Sequence, residues 1–231
     1  MNPPDFTVLI PVYNEEECLI PNVGRLLRFF RERGLNGEIM LGSNGSTDAT
    51  LTIGGLFNAS PLPVRFFHLE RRRAVGEVFR TALHAAASPL LISMDMDLPV
   101  DLEFITEALH LLQRHDLIVG SKQSGLQQRS AWRRLGSGLF ILFAQTALSL
   151  PYDDYSLGAK AYRISSVKPL SEGLSFDTNY VLEIIHASRR AGLSIAVLPV
   201  ACWDYRKSRF NLVQEALTRF SHLFRTWIRN R

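Results

Sequence analysis

Short apolar runs alternate with segments of helical periodicity along the first half of the chain, and this alternation constrains the fold more than any other feature. The first run, residues 6–11, precedes a segment at 16–32 in which apolar residues recur every three or four positions. Strands and helices that alternate at this spacing are typical of a parallel sheet with helices on both faces. We therefore predict an α/β fold with a mainly parallel central sheet.

The same two patterns predict the later elements. Strands are expected at residues 38–41, 64–68, 89–94, 117–120, 159–163 and 194–200, and helices at 47–57, 75–86, 102–114, 132–148, 179–191 and 212–228. Ligands of such sheets bind at the carboxyl ends of the strands. Polar residues that directly follow an apolar run are therefore the first candidates for a functional site.

Composition indicates a single globular domain in a reducing compartment. The chain has 231 residues, of which 46% are hydrophobic, and its two cysteines are far apart. Its first residues show no basic stretch followed by an apolar run, and the longest apolar stretch, 135–150, is shorter than the roughly 20 residues of a spanning helix. We expect a soluble, cytoplasmic protein. The net charge of +4 favours an anionic partner and leaves open phosphate, nucleic acid or a lipid surface.

Two carboxylates follow the apolar run that ends at Met94. On extended backbone, residues two apart point the same way, so Asp95 and Asp97 can converge on one cation. Mg²⁺ and Mn²⁺ are bound by one or two carboxylates together with diphosphate oxygens. The alternative is a polar strand end that leads into the next helix.

Polar residues also follow the first two predicted strands, at 11–15 and 43–48. Each segment opens a helix, so backbone N–H groups there could bind the phosphates of a nucleotide. The alternative is that Asn14, and Ser46 or Thr47, only cap their own helices.

In combination, these segments resemble the family 2 glycosyltransferases, and within them the dolichol- or polyprenyl-phosphate mannose (or glucose) synthase branch. The resemblance rests on VLIPVYNEEECL, SNGSTDAT, RAVGEVFRTALHAAAS, ISMDMDLPVDLEFI and DDYSLGAKAYRIS, which occur in the family's order. It implies the GT-A fold and inverting transfer of a sugar from a nucleoside-diphosphate sugar to a polyprenyl phosphate.

The resemblance also implies a role for individual residues. It assigns the donor to Pro11, Tyr13, Glu15, Asn44, Asp95, Met96 and Asp97. It assigns the acceptor to Lys122, Arg133, Ser137, Arg206 and Ser208. Asp95 and Asp97 would hold Mg²⁺ or Mn²⁺, and Asp97 would be catalytic. Asp154 would orient the sugar, or act as base for a hydroxyl acceptor with a pKa tuned by Lys160 or Arg163.

The chain departs from the family pattern at three places. Ser43 and Asn44 stand where the family usually has two aspartates, so base preference or donor binding is altered. Pro99 replaces a glutamine that can complete the metal site. The segment 71–73 is three consecutive arginines, which either grip phosphate or are solvated.

One domain is expected, with a nucleotide-sugar half at 1–121, an acceptor half at 122–210 and a basic amphipathic helix at 211–231. Residues 203–231 hold seven Lys or Arg against two acidic residues. This pattern fits either peripheral contact with an anionic membrane or a helix packed on the core with a solvated basic face.

The sequence argues against two other classes of protein. A nucleotidyltransferase would carry a G-x-G-x-R loop where this chain has residues 13–17, and a nucleic-acid-binding module would show exposed stacking aromatics. A hydroxyl-acceptor family 2 enzyme for cell-surface glycans and a non-catalytic sugar-nucleotide binder remain alternatives.

Overall fold

A computed structural model describes residues 3–72, 74–122 and 157–202. Its centre is a seven-stranded sheet in the order β3-β2-β1-β4-β6-β5-β7. The strands are β1 (Phe6–Val12), β2 (Gly37–Asn44), β3 (Val64–Leu69), β4 (Leu90–Ser93), β5 (Leu117–Lys122), β6 (Lys160–Arg163) and β7 (Ile195–Val200). The helices are α1 (Glu16–Glu32), α2 (Thr50–Asn58), α3 (Val75–Ala85), α4 (Glu103–Leu111), the short α5 (Ile164–Val167) with a 3₁₀ turn (Lys168–Leu170), and α6 (Tyr180–Arg190).

Of the seven strands in the described ranges, six run in the same direction and β6 is reversed. β1 pairs in parallel with β2 and β4, β2 with β3, and β5 with β7, whereas β6 is antiparallel to both β4 and β5. The carboxyl ends of the six strands therefore share one edge of the sheet. The beginning of β6 lies at that same edge.

Helices cover both faces of the sheet, as the alternation of elements predicts. Val8 and Ile10 of β1 pack in the core cluster that contains the apolar face of α1, whereas Leu9 packs in the cluster that contains α3. This division follows from the two-residue period of side chains along a strand. Because β1 is buried on both faces, its sequence is apolar apart from Thr7 and does not alternate.

Most predicted boundaries agree with the structure to within three residues, and α1 begins and ends where its periodicity predicts. The short α5 and the 3₁₀ turn after it were not predicted. The helices expected at 132–148 and 212–228 lie outside the described residues, and the division of the domain at residue 121 stays a prediction. Among the helices of the described ranges, none has the length and apolar content needed to cross a membrane.

Asp116 ties together the amino ends of neighbouring strands, at the edge opposite the polar strand ends. Its carboxylate accepts hydrogen bonds from the Ser166 hydroxyl at 2.6 Å and the Ser194 N–H at 3.0 Å, and Arg163 Nε lies 3.7 Å away. The bond from Ser166 is the main reason that the pKa of Asp116 is lowered, although partial burial opposes it. The suggestion that Lys160 or Arg163 tunes the pKa of Asp154 stays a prediction, because Asp154 lies outside the described residues.

This geometry predicts how stability changes with pH. Asp116→Asn should lower the free energy of unfolding by about 1–2 kcal/mol at neutral pH, because the ionised carboxylate is the better acceptor. Because the pKa of Asp116 is lower in the folded state, the contribution of its carboxylate to stability is fully present above the unfolded pKa of about 3.9. That contribution is lost as the pH falls through the folded pKa. The difference between wild type and variant in urea unfolding should therefore shrink as pH falls towards about 3. Asp5→Asn, at an exposed aspartate before β1, is the control; a pH-independent difference at Asp116 would contradict the assignment.

Candidate active site

The two candidate metal ligands lie in a tight turn after β4. Strand β4 ends at Ser93, and the Leu98 N–H donates to the Asp95 carbonyl oxygen at 3.1 Å to close the turn. The expectation of extended backbone at Asp95 and Asp97 was therefore wrong. Both aspartates nevertheless keep accessible surface while Met96 between them is buried.

Leu98 holds this turn in an unusual conformation. Its φ of 46° lies in the left-handed region, which costs a non-glycine residue about 1–2 kcal/mol. The Leu98 side chain is buried in the core cluster beside α1 and α4, and this packing offsets the backbone strain. Packing of Leu98 in the core therefore anchors the turn and fixes the positions of Asp95 and Asp97.

Asp95 is positioned by Gly158, the residue two before β6. The Gly158 N–H donates to Asp95 Oδ2 at 3.1 Å. A Cβ atom at Gly158 would lie only 2.3 Å from Asp95 Oδ1, so no larger residue fits without moving the carboxylate. The reversed direction of β6 brings Gly158 to this edge, which gives this antiparallel strand a role in the site.

The electrostatics of the turn favour a bound cation. The pKa of Asp95 is raised, first because protein groups around the carboxylate partly desolvate it and second because Asp97 is negative. The Gly158 N–H, Lys160 and Lys122 oppose the rise. Two neighbouring carboxylates that disfavour each other's charge are stabilised when a positive ion binds between them.

The donor set fits a metal that is shared with a diphosphate. Mg²⁺ and Mn²⁺ prefer hard oxygen ligands and are commonly held by one or two carboxylates plus phosphate oxygens and water. In the described ranges, no group of three or more His, Cys, Asp or Glu residues could hold an ion by itself. Pro99 contributes no side-chain ligand. The residues therefore suit an ion that arrives with a nucleotide rather than one in a closed protein cage.

The loops after β1 and β2 cap each other's helices. The Asn14 amide oxygen accepts from the Thr47 N–H at 2.8 Å, and the Asn14 N–H donates to the Ser46 hydroxyl at 3.2 Å. In the other direction, Glu16 Oε2 accepts from the Ala49 N–H at 2.8 Å. The alternative that Asn14 and Ser46 or Thr47 cap their own helices is therefore wrong.

This reciprocal capping reduces the number of backbone N–H groups that could bind a phosphate. The N–H groups of Glu15 and Glu16 donate to the Thr50 hydroxyl and the Asp48 carboxylate, and those of Asn14, Thr47 and Ala49 are also used within the protein. They are not available to a ligand without rearrangement. If a diphosphate binds at this edge, its charge would have to be neutralised by a metal ion and by basic side chains.

Two arginines of the basic segment lie against aromatic rings. Arg72 Cζ is 4.6 Å from the centroid of the Tyr13 ring, and Arg71 Cζ is 5.4 Å from that of Phe176. The approach of Arg72 depends on Gly45, whose φ is 78° and where a Cβ would lie 2.9 Å from the Arg72 backbone. Arg71 and Arg72 are thus exposed but lie against aromatic rings, and Arg72 lies beside the loop after β1.

The structure brings most of the remaining described candidates to the same edge. Pro11, Tyr13, Glu15 and Asn44 lie at the ends of β1 and β2, and Lys122 ends β5 within electrostatic reach of Asp95. The Asn44 amide nitrogen donates to the Val12 carbonyl at 3.2 Å, so this side chain also joins β2 to β1.

Met96 differs from its predicted role. Its side chain is buried in the core, and its carbonyl oxygen accepts a hydrogen bond from Asn22 Nδ2 at 2.7 Å. The Met96 side chain is thus withdrawn from the surface that would meet a donor. The candidates Arg133, Ser137, Asp154, Arg206 and Ser208 lie outside the described residues, as does 203–231.

Sequence reasoning named Lys160 only as a group that could tune Asp154, and it did not predict the contacts of Gly158 and His68 at this edge. Lys160 is fully buried, donates to the Leu157 carbonyl oxygen and opposes the rise in the pKa of Asp95. Its place in the DDYSLGAKAYRIS segment, like that of Gly158, was the available signal. His68, at the end of β3, lies in no motif, so nothing in the sequence pointed to it.

Comparison with solved structures identifies the fold of the chain. The structure resembles glucosyl-3-phosphoglycerate synthase from Mycobacterium tuberculosis in complex with UDP, with a TM-score of 0.72, 17% identity, and coverage of 97% of this chain and 80% of that one. The complex of the same enzyme with Mn²⁺, UDP and glucosyl-3-phosphoglycerate gives a TM-score of 0.71. At this identity the likeness shows the fold alone, and that fold is the predicted GT-A fold.

The chain belongs to glycosyl transferase family 2, whose profile matches residues 7–170. It is 25% identical to glycosyltransferase AglD of Haloferax volcanii over 96% of this chain and 37% of that protein. It is 26% identical to dodecaprenyl-phosphate galacturonate synthase of Rhizobium johnstonii, over 83% of this chain and 58% of the relative. The undecaprenyl-phosphate 4-deoxy-4-formamido-L-arabinose transferase of Pectobacterium atrosepticum is also 26% identical, over 81% and 61%. The chain thus spans about two-fifths to three-fifths of these relatives, and the predicted family is confirmed.

Proposed function

We propose that the protein transfers a sugar from a nucleoside-diphosphate sugar to a polyprenyl phosphate, with inversion at the anomeric carbon. The observation that carries the proposal is the Asp95–Asp97 turn, held against Gly158 at the carboxyl edge of the sheet with Lys122 and Lys160 beside it. Two relatives are named for dodecaprenyl- and undecaprenyl-phosphate, which supports this acceptor. The solved neighbours with UDP and Mn²⁺ support the donor and the metal.

Asp95 and Asp97 would hold the Mg²⁺ or Mn²⁺, which supplies positive charge to the departing nucleoside diphosphate. The Gly158 N–H fixes one oxygen of Asp95, so the direction of this carboxylate is set before a ligand binds. Lys160 is buried next to the site, and its electrostatic effect opposes the rise in the pKa of Asp95. Preorganised charge of this kind is the usual source of rate enhancement in transfer to or from phosphates.

A phosphate acceptor needs no general base because it is already an anion at neutral pH. Catalysis would then rest on positioning the acceptor oxygen in line with the departing diphosphate. Lys122, which ends β5 at the same edge, is proposed to bind the acceptor phosphate. Arg133, Ser137, Arg206 and Ser208 are proposed to complete that cradle. Asp154 would act as base only with a hydroxyl acceptor.

Peripheral attachment to the cytoplasmic face of a membrane is part of the proposal. A polyprenyl phosphate resides in a bilayer, and residues 203–231 carry seven basic against two acidic residues. Such segments bind anionic lipid surfaces, with salt sensitivity. Co-sedimentation with anionic but not neutral vesicles at low salt would support the attachment, and equal recovery with both would oppose it.

The test is a transfer assay with matched acceptors. UDP-, GDP-, CDP- and dTDP-sugars are incubated with Mn²⁺ and either a polyprenyl phosphate or the corresponding polyprenol. We expect a lipid-linked sugar from the phosphate alone, loss of product in EDTA, and recovery on addition of Mn²⁺.

Other outcomes would favour the alternatives. Transfer to hydroxyl acceptors but not to the phosphate would indicate a family 2 enzyme for glycans, with Asp154 as its base. Binding of a nucleoside diphosphate without turnover across the full panel would indicate a non-catalytic sugar-nucleotide-binding protein.

A further inference from the structure

A chain of hydrogen bonds links the ends of β2 and β3 at the edge that carries the proposed site. His68 Nδ1 lies 3.0 Å from Ser43 Oγ, and Ser43 Oγ donates to Ser46 Oγ at 2.9 Å. Ser46 Oγ also accepts from the Asn14 N–H at 3.2 Å. Ser43 and Ser46 are buried, whereas His68 is exposed. The chain therefore runs from the interior outwards and ends on an imidazole.

The direction of these bonds fixes the tautomer of His68. A serine hydroxyl has one hydrogen to donate, and that of Ser43 is donated to Ser46. Ser43 must therefore accept from His68, so Nδ1 carries the hydrogen and Nε2 of the neutral ring keeps its lone pair. The network thus presents a hydrogen-bond acceptor on an accessible side chain.

His68 lies where the base of a nucleotide would be expected. Ser43 is the register partner of Val12 on one side and of His68 on the other, so the three residues form a row across β1, β2 and β3. Neighbouring strands lie about 4.8 Å apart, which puts the end of β3 roughly 14 Å from that of β4. A nucleoside diphosphate with its phosphates at the Asp95–Asp97 turn is long enough to reach this row. Tyr13, which directly follows Val12, adds an aromatic face under Arg72.

The end of β2, next to His68, provides no charged hydrogen-bond acceptor. Ser43 is committed to the hydrogen-bond chain, and the Asn44 amide nitrogen is bonded to Val12. Bases that carry a ring N–H, as uracil and guanine do, need an acceptor opposite that group. Cytosine and adenine have a lone pair at the corresponding ring nitrogen and would face the lone pair of Nε2.

We propose that His68 is a specificity-determining residue that selects donors whose base has a ring N–H, through Nε2, and that Ser43 is its positioning residue. The inference rests on the proposed function, because it takes the nucleotide to be the donor. A hydrogen-bonding site discriminates strongly against a ligand that leaves its polar group unpaired. The donor is therefore a uridine- or guanosine-type diphosphate sugar rather than a cytidine or adenosine one.

The test measures nucleotide binding without transfer. Isothermal titration of the full chain with Mn²⁺ compares UDP with CDP and GDP with ADP, two pairs matched in ring size. We expect the N–H member of each pair to bind about tenfold or more tightly. In His68→Phe this preference should disappear through weaker binding of UDP and GDP, with CDP and ADP little changed. His68→Gln, whose amide oxygen can accept, should retain part of it, and Ser43→Ala should weaken it without abolishing binding.

His115→Phe is the matched control. His115 Nδ1 lies 2.7 Å from Ser194 Oγ, the same kind of pair, but both residues precede strands and so lie at the opposite edge of the sheet. Its substitution should leave the ranking of the four nucleotides unchanged. Melting temperatures of all variants check that the fold is kept.

The proposal is overturned if the wild type prefers CDP or ADP, if it binds none of the four nucleotides, or if His68→Phe leaves the ranking unchanged or weakens all four equally. These outcomes differ from failure of the transferase function. Selective binding through His68 with no sugar transfer would contradict the transferase function and support the base assignment. Sugar transfer from a CDP-sugar would support the transferase function and overturn the base assignment.

Discussion

Asp97→Asn is expected to lower metal-dependent sugar transfer by about 100-fold or more, with the fold intact. An amide matches the carboxylate in shape but brings no charge to a cation, and the loss of one preorganised electrostatic contact typically costs this much. The negative charge of Asp97 also disfavours ionisation of Asp95 in the free protein. The variant should therefore melt at the same temperature as the wild type or higher, while the stabilisation by nucleoside diphosphate with Mn²⁺ is lost.

Glu107→Gln removes the same charge from an exposed position on α4 and serves as the control for Asp97. It should leave both the transfer rate and the nucleotide-dependent thermal shift unchanged. Full activity of Asp97→Asn with Mn²⁺ would mean that the turn is only a polar strand end leading into α4.

The second large effect is expected for Gly158→Ala. The added Cβ would lie 2.3 Å from Asp95 Oδ1 and 2.5 Å from its Cγ, so the carboxylate must move by about an ångström. A displacement of that size at a reacting centre can cost about 100-fold in rate. The measurement is kcat/KM together with the Mn²⁺ concentration needed for half-maximal rate, which should rise because the ligand geometry is disturbed.

Gly173→Ala provides the comparison, since a Cβ there would meet nothing within 4 Å. It should retain wild-type transfer and the same requirement for Mn²⁺. Far-UV circular dichroism would establish that β6 still forms in Gly158→Ala. Equal activity of the two alanine variants would show that the contact between Gly158 and Asp95 does not position the ligand.

The elements with strong local patterns were predictable from sequence. The helix at 16–32 shows unbroken apolar spacing, and its bounds agree with α1. The reversal of β6 was not predictable, because four residues of strand carry no signal of direction. Its orientation is set by pairing with β4 and β5, which lie far away in the sequence.

The candidate site also has features that were predictable from sequence and features that were not. Asp95 and Asp97 could be located because they directly follow an apolar run. Their turn could not, since it depends on Leu98 being buried firmly enough to hold a left-handed φ. The contact between Asp95 and Gly158 joins residues 63 positions apart, and only the tertiary structure brings them together.

The crossed caps of α1 and α2 have a consequence for engineering. Asn14 and Glu16 accept hydrogen bonds from the N–H groups of Thr47 and Ala49, and Thr50 and Asp48 accept hydrogen bonds from the N–H groups of Glu15 and Glu16. Neither loop can be transplanted alone from another glycosyltransferase without leaving backbone donors exposed at both grafting points. Residues 13–16 and 46–50 form one exchangeable unit, so a redesign of donor choice should move the two segments as a pair.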